Sequence, residues 1–177
     1  MNEGSKLPST IPIFPLSNFI IFPNTTVPLN IFEPRYIEMI DDSMKSHRLI
    51  GMVQPKKSGK LKKPDLYEVG CVGKITSFNE TDDGRYLIII NGVSRFNIEK
   101  EIETDKLYRS CEVNYQNYTK DLENKVEKFS ITELDKILKD LKNLFEKKGF
   151  MVDWSNLKKQ DFSNTLNTLS MASPFSL

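Results

Sequence analysis

The segment that decides the fold is a pair of runs, Tyr67-Glu-Val-Gly-Cys-Val-Gly-Lys-Ile-Thr-Ser-Phe78 and Arg85-Tyr-Leu-Ile-Ile-Ile90, separated by Asp82-Asp83-Gly84. The first run alternates loosely between apolar and polar residues, and the second is continuously apolar, as in a buried strand. An Asp-Gly pair between two such runs is a strong hairpin signal, because glycine adopts positive φ without steric cost. The sequence therefore predicts an antiparallel hairpin here.

Further strands are predicted on both sides of this hairpin. Upstream, Ile11-Pro-Ile-Phe-Pro-Leu16 and Phe19-Ile-Ile-Phe22 are short runs cut by prolines, which belong at strand edges or bends because proline cannot donate to a ladder. The other predicted strands are 27–32, 49–53, a continuation from Arg95, and 108–118. One helix of about three turns is predicted from Pro34 to His47, where apolar residues recur at helical spacing. These elements favour a compact, barrel-like sheet of six or more strands.

The residue composition and the spacing of apolar residues change after Tyr118. Eight of nine prolines lie at or before Pro64, and seven of eight glycines lie at or before Gly92. Beyond this point Ser130-Ile-Thr-Glu133 matches a capping box, and an apolar stripe from Leu134 to Phe145 ends at Gly149. A second helix is predicted near Asp161, with Phe162, Leu166 and Leu169 on one face and Trp154 and Leu157 in the connector. We therefore expect a β domain over 1–118 and a small helical subdomain over 119–177, an α+β fold.

Composition bears on the partners and the cellular location of the protein. The 177 residues include 25 basic and 24 acidic side chains, so a net charge of +1 gives no global field toward nucleic acid or an anionic membrane. The N-terminus lacks the long apolar region of a signal peptide, and no run approaches the ~18 apolar residues of a membrane span. We expect a cytoplasmic protein without a membrane partner.

Few residues could carry chemistry. With a single histidine, His47, and no CxxC spacing, a zinc site is effectively excluded. Cys71 and Cys111 could form one bridge, but two cysteines in a chain of this length favour buried free thiols. No phosphate-binding loop or nucleophile elbow is present, so we expect no cofactor and no catalytic residue. The acid pairs at 41–42 and 82–83 are interpreted as solvated, with Asp83 setting the hairpin.

Two segments are candidates for binding. The aromatic stretch near the N-terminus is either core or, in part, an exposed patch suited to extended polypeptide; its candidate contacts are Phe14, Phe19, Ile20, Phe22 and Phe32. The basic loop 55–64 is either a solvated loop or a source of phosphate contacts; its lysines are Lys56, Lys57, Lys60, Lys62 and Lys63.

Several of these residues together resemble a known family. Ile11-Pro-Ile-Phe-Pro-Leu16, Phe22-Pro-Asn24 and Val27-Pro-Leu-Asn-Ile-Phe-Glu-Pro-Arg-Tyr36 are similar to the opening of the N-terminal, substrate-binding domain of Lon proteases. The later elements appear in the order that this family shows: Gly70-Cys-Val-Gly-Lys-Ile75, Asp83-Gly-Arg85, Gly92-Val-Ser-Arg-Phe96, Asp153-Trp154 and Met171-Ala-Ser-Pro-Phe175. The resemblance covers nearly the whole chain.

The resemblance implies a PUA-like β-barrel-type domain with one internal helix, followed by helices. It also implies a free-standing, non-enzymatic module, because the ATP-binding loop and the Ser-Lys protease domain of full-length Lon are missing. Such a module would recognise unfolded or tagged polypeptides and act as an adaptor in protein quality control, with a protease or a chaperone as partner. A PUA-like nucleic-acid-binding module and a small-molecule pocket protein are the alternatives.

The shared motif residues have an architectural interpretation. Glu33 and Arg35 would pin the helix to the sheet, and the remaining motif positions would fix turns and strands; these are Pro34, Tyr36, Asp83, Gly84, Arg85, Arg95 and Phe96. Asn24 stands where the family often has glycine, and asparagine also accepts left-handed backbone geometry.

Overall fold

A computed structural model describes residues 7–17, 19–56, 63–123, 131–149, 166–167 and 169–171. The strands are Thr10–Pro15 (β1), Thr26–Ile31 (β2), Leu49–Val53 (β3), Val69–Glu80 (β4), Tyr86–Ile102 (β5) and Arg109–Asn114 (β6). The α-helices are Pro34–Met44 (α1) and Ile131–Lys147 (α2), and 3₁₀ turns occupy Gln116–Leu122. The chain divides into two compact units, residues 1–123 and 124–177.

The strands of the first unit close into a barrel around β5. One edge of β5 pairs with β4, and the other edge pairs with β2 over residues 86–91 and with β6 over residues 97–102. The ring is completed by β3 against β4, by β1 parallel to β3, and by β6 antiparallel to β1. The predicted α+β, barrel-like sheet is confirmed. The two runs predicted at 85–90 and from Arg95 are one 17-residue strand, since β-bulges bend it without a turn.

The predicted hairpin joins β4 to β5. Gly84 has φ of 77°, the amide of Gly84 donates to the Thr81 carbonyl (2.9 Å), and the amide of Thr81 donates to the Arg85 carbonyl (2.9 Å). The last strand ends at Asn114 rather than Tyr118, because the Asn114 side-chain oxygen accepts the Gln116 amide (2.8 Å) and starts the 3₁₀ turns.

The barrel interior is apolar and tightly packed. Its core consists of Ile11, Ile13, Leu49, Val53, Val72, Phe96, Cys111 and Val113. Phe96 fits because its neighbour across the ladder is Gly70, where a Cβ would lie 2.6 Å from the Phe96 ring. Both cysteines are free and buried, as predicted, and burial raises the pKa of Cys71 to about 12. The thiols are therefore packing groups at neutral pH.

Helix α1 follows β2 and packs with Met39 and Ile40 fully buried. It begins behind Pro34, and the Glu33 carbonyl accepts the amides of Tyr36 (2.8 Å) and Ile37 (3.0 Å). The helix ends at Met44, three residues before the predicted end. Arg48 takes up left-handed geometry (φ 58°) and its amide donates to the Ser43 carbonyl (2.9 Å), which turns the chain into β3.

In the second unit, α2 begins directly after Ser130, where the capping box predicts a helix start, although Ser130 itself lies outside the described residues. Gly149 ends the helix with φ of 75°, as predicted. The described residues of the predicted second helix, 166–167 and 169–171, are helical, whereas Trp154, Leu157 and Phe162 lie outside the described residues. Within the described part of the chain, no helix has the length and apolar character to cross a membrane.

Candidate functional site

The first half of β5 presents two different faces. Tyr86, Ile88 and Ile90 are at most 9% exposed and form what we call the covered face. The residues between them point the other way, and Leu87 (45% exposed) and Ile89 (38% exposed) are open to solvent. Two large aliphatic side chains on the exposed side of one strand are the starting point for a site.

The strand register shows what surrounds these two side chains. Across β2, Leu87 is paired with Asn30 and Ile89 with Pro28; across β4, they are paired with Asn79 and Ser77. We call this surface the open face, made of Thr26, Pro28, Asn30, Ser77, Asn79, Leu87, Ile89 and Asn91, all of them exposed. None of these eight residues carries a charge, and Lys74, the exposed β4 partner of Asn91, lies at their border. Depletion of charge around exposed aliphatic groups is typical of the centre of a protein interface.

The open face borders a strand edge. Among the described residues, β2 has a strand partner on one side only, β5. Pro28 in the middle of β2 removes one amide, which is a usual way to blunt an edge. Phe32, 65% exposed, is the next residue in the same alternation beyond Asn30.

The aromatic stretch predicted to bind polypeptide is divided by the structure. Phe14 is buried, with its ring centroid 4.3 Å from that of Tyr36, so it does not lie on an exposed surface. Phe19 and Phe22 are half-buried, and Ile20 and Phe32 are exposed. Of the five candidates, Phe32 alone adjoins the open face through the β2 alternation.

The turn after this stretch has an architectural role. The Thr25 hydroxyl donates to the Phe22 carbonyl (2.6 Å), and Asn24, in left-handed geometry (φ 61°), donates its amide to the Gly92 carbonyl (2.9 Å). A Cβ at Gly92 would collide with the Phe22 carbonyl oxygen. The turn thus closes directly onto β5, and Gly92 is required for that approach.

The Glu33 to Tyr36 motif acts differently from the prediction. Glu33 and Arg35 pair with each other (2.7 Å), and both side chains are nearly half exposed. The Arg35 guanidinium lies 4.5 Å from the Tyr36 ring centroid, and Tyr36 in turn packs on Phe14 of β1. The link from α1 to the sheet is therefore the buried Tyr36 ring, because Glu33 and Arg35 are engaged with one another.

The hairpin motif is fixed as predicted. Asp83 accepts a hydrogen bond from the Thr81 hydroxyl (2.5 Å) and pairs with Arg85 (2.9 Å). The Thr81 hydrogen bond is the main cause that lowers the pKa of the Asp83 carboxyl. These contacts set the turn, and the Asp83 carboxylate is engaged in them.

Arg95 has a partner that the sequence did not indicate. Its guanidinium donates two hydrogen bonds to Asp121 (2.9 and 2.6 Å), and its amide donates a third (2.9 Å). Burial alone would raise the pKa of Asp121, but the hydrogen bonds from Arg95 outweigh it and hold the pKa below its usual range. Arg95 also lies 4.9 Å from the Tyr118 ring centroid, so it anchors the 3₁₀ turns to β5. Asp121 lies 26 residues from Arg95 in the chain, and nothing in the local sequence indicates that the two side chains pair.

Asp41 and Asp42 of α1 were predicted to be solvated, but both are only partly exposed and both accept hydrogen bonds. Asp42 accepts hydrogen bonds from the Tyr108 hydroxyl (2.9 Å) and pairs with Lys106 (2.8 Å), while Asp41 accepts from the Tyr86 hydroxyl (3.0 Å). The hydrogen bonds from Lys106 and Tyr108 lower the pKa of Asp42, and burial together with Asp42 raises the pKa of Tyr108 to about 12. Asp42 therefore fastens the 103–108 loop to α1, and Asp41 links α1 to β5.

The basic loop is described only at its ends. Lys56 is exposed, Lys63 pairs with Glu101 (3.0 Å), and Lys57, Lys60 and Lys62 lie outside the described residues. Glu101 also takes a bidentate contact from Arg109 (2.9 and 2.7 Å), and a cavity of about 610 Å³ opens beside these groups. Charges of both signs line this cavity, so it offers no basic surface to a polyanion.

A second cavity, of about 850 Å³, lies at one mouth of the barrel and is lined mainly by apolar groups. We call it the mouth pocket. Lys74, on its rim, is paired across the ladder with Asn91 of the open face, so the two features are neighbours on the sheet. His47 also lies on its rim. No group of three or more His, Cys, Asp or Glu side chains within the described ranges could hold a metal ion.

The fold is a sheet-rich α+β domain. Residues 10–174 match the family model of the ATP-dependent protease La (Lon) substrate-binding domain, and the chain belongs to this family.

Relatives and solved structures agree with this assignment. The chain is 35% identical over 104 residues to a Lon protease of Desulfosudis oleivorans (56% of this chain, 13% of that protein) and 27% identical over 154 residues to a Lon protease of Dictyoglomus thermophilum (86% and 18%). It therefore spans less than a fifth of these relatives.

Two solved structures share the fold. They are a Lon N-terminal domain protein from Xanthomonas campestris (TM-score 0.57, 21% identity, 75% of this chain and 73% of that chain) and the N-terminal domain of a Mycobacterium avium complex Lon protease (TM-score 0.58, 13% identity, 94% and 82%).

Proposed function

We propose that this protein is a non-catalytic, cytoplasmic adaptor that binds exposed or unfolded polypeptide segments on the open face. The observation that carries the proposal is the pair Leu87 and Ile89, exposed on a sheet face whose other members are all uncharged. The substrate-binding name of the family model supports the same function. A protease or a chaperone would receive the bound segment.

The chemistry of the surface indicates which segments bind. Leu87, Ile89 and Phe32 offer apolar contacts, while the asparagine, serine and threonine side chains around them can pair with a peptide backbone. The adjacent free edge of β2 allows strand addition, with one amide lost at Pro28. Since the eight residues of the face are uncharged and Lys74 lies only at its border, beside Asn91, binding should favour apolar, uncharged segments and depend weakly on salt.

A double substitution on the open face tests this proposal. Leu87→Glu with Ile89→Glu places two charges in the proposed contact area, and both side chains are exposed enough for the fold to persist. We expect the affinity for a permanently unfolded protein, such as reduced and carboxymethylated lactalbumin, to fall by about tenfold or more. Binding would be measured by fluorescence anisotropy, and folding by circular dichroism and thermal melting.

Leu107→Glu is the matched control, because Leu107 is a 65% exposed aliphatic residue in the 103–108 loop, outside the open face. It should bind as the native chain does. Equal binding by the double variant, or no saturable binding by the native chain at tens of micromolar, would contradict the proposal. A steep loss of binding with added salt would point instead to the basic loop and to a polyanion.

A further inference from the structure

The mouth pocket has the size and lining of a small-molecule site. Its volume of about 850 Å³ is in the range of natural ligand pockets. Its inner surface includes Leu49 and Val113, at most 9% exposed, which are members of the barrel core. The pocket therefore opens directly onto the apolar interior of the barrel, unlike the flat open face.

Above these core residues, the side walls of the pocket are formed by apolar residues that are not members of the barrel core. Leu7, ahead of β1, and Leu122, in the 3₁₀ turns, contribute side chains, and Leu122 is 52% exposed. The Tyr115 hydroxyl donates to the Pro8 carbonyl (3.0 Å). Because this hydrogen bond uses its single donor, Tyr115 contributes to the pocket mainly the apolar surface of its ring. A ligand body in this space would meet mainly aliphatic and aromatic carbon.

The charges of the lining are arranged asymmetrically. Lys74 and His47 lie on the side of β3 and β4, where Lys74 is paired with Leu49 across the ladder. Lys74 is exposed and forms no ion pair with any residue that the structure describes. Glu99, the acid of the lining, lies on β5 and accepts a hydrogen bond from the Asn114 side chain (2.8 Å). One side of the rim thus presents a cation without an ion-pair partner among the described residues, and the negative charge of Glu99 lies on another strand, β5.

From this arrangement we propose that the mouth pocket binds a medium-chain aliphatic carboxylate, with its alkyl chain on Leu49, Val93 and Val113 and its carboxylate at Lys74. The apolar floor selects the alkyl chain, and the unpaired ammonium selects an anionic head over a neutral or cationic one. This site is separate from polypeptide binding on the open face, because a ligand of this kind enters the pocket and needs neither Leu87 nor Ile89.

Decanoate is the probe for the test, with decanol and decylammonium as ligands of equal length and different head charge. Isothermal titration calorimetry on the full chain should show saturable decanoate binding with a dissociation constant below about 1 mM, and weaker binding of the other two. Lys74→Glu should weaken decanoate binding by about fivefold or more and leave decanol binding unchanged.

Lys56→Glu is the matched control. Lys56 is an exposed lysine beyond the opposite end of β3, away from the pocket, and its substitution makes the same change in net charge. It should bind decanoate as the native chain does, and so should a Leu87→Ala, Ile89→Ala double variant, which shortens the open-face side chains without adding charge near Lys74.

Three results would overturn the proposal: no saturable binding of decanoate to the native chain, decylammonium binding as tightly as decanoate, or Lys74→Glu binding decanoate as the native chain does. Loss of decanoate binding in the Leu87→Ala, Ile89→Ala variant would show that the two surfaces are one site, and would overturn the separation proposed here. Thermal melting of each variant shows whether it is folded.

Discussion

The two faces of β5 differ although they alternate along one strand. On the covered face, Tyr86 is bonded to Asp41 of α1, and Gly92 meets the turn at Phe22. On the open face, Leu87 and Ile89 are aliphatic as well, but they remain 45% and 38% exposed. A continuous apolar run is typical of a strand buried on both faces, so the exposed half of this run is apolar surface that the fold does not use. That surplus is what indicates binding.

The largest expected effect on stability comes from truncating an isoleucine side chain on the covered face, which we compare with the same truncation on the open face. Ile90→Ala removes a fully buried side chain, and we expect a loss of about 3 kcal/mol in the free energy of unfolding. Ile89→Ala removes the same atoms from a 38% exposed position and should cost less than about 1 kcal/mol. Urea denaturation followed by circular dichroism measures both. Equal losses would show that the open face is covered in solution.

Gly92→Ala tests the close contact between β5 and the turn at Phe22. The new Cβ would run into the Phe22 carbonyl, so the turn must move and its two backbone hydrogen bonds to Gly92 (2.9 and 2.8 Å) would be disturbed. We expect a loss of about 2 kcal/mol. The neighbouring Asn91→Ala, on the open face, serves as the control and should be nearly neutral in the same denaturation experiment. A stability loss below about 0.5 kcal/mol in Gly92→Ala would contradict the close approach.

Asp121→Asn tests the anchor on the second half of β5. The native carboxylate, 8% exposed, takes three hydrogen bonds from Arg95, and we expect the substitution to cost about 1 kcal/mol at pH 7. Because the folded pKa of Asp121 is lowered, its contribution is present above the unfolded value near 3.9 and is lost as pH falls through the folded value.

The difference in stability between the native chain and Asp121→Asn should therefore shrink as pH falls below about 4. Thermal melting between neutral pH and pH 3 would show this convergence. A gap that stays constant across that range would mean that the carboxylate charge is not what stabilises the anchor.

The smallest effect is expected from Asp42→Asn, which weakens the attachment of the 103–108 loop to α1. The Asp42 side chain is partly solvated, so the loss of its contacts with Lys106 and Tyr108 should cost about 0.5 kcal/mol. The phenol of Tyr108, with a pKa of about 12 in the native chain, should titrate at a lower pH in the variant. Ultraviolet titration measures this change, with Tyr108→Phe identifying the band; an unchanged titration would argue against the contact.

Local signals were strong where a single residue sets the backbone. Gly84 and Gly149 mark a hairpin and a helix end because only positive φ completes those turns, and Pro34 marks a helix start because its missing amide costs nothing there. Side-chain pairs between residues far apart in the chain have no comparable local sequence signal. Arg95 with Asp121 and Asp42 with Tyr108 join charged or polar residues that look solvated in the sequence, since any surface acid has the same local pattern.

The sequence by itself determined the strand-rich first part, the helix α2 and the family, because turn residues, apolar periodicity and the Phe32-Glu-Pro-Arg-Tyr36 element are local properties of the chain. Only the tertiary structure decided which apolar residues remain exposed. Phe14 and Leu87 are both large and apolar within strands, yet α1 covers one and nothing in the described chain covers the other. Burial depends on what packs against a side chain, and that is a property of the assembled barrel.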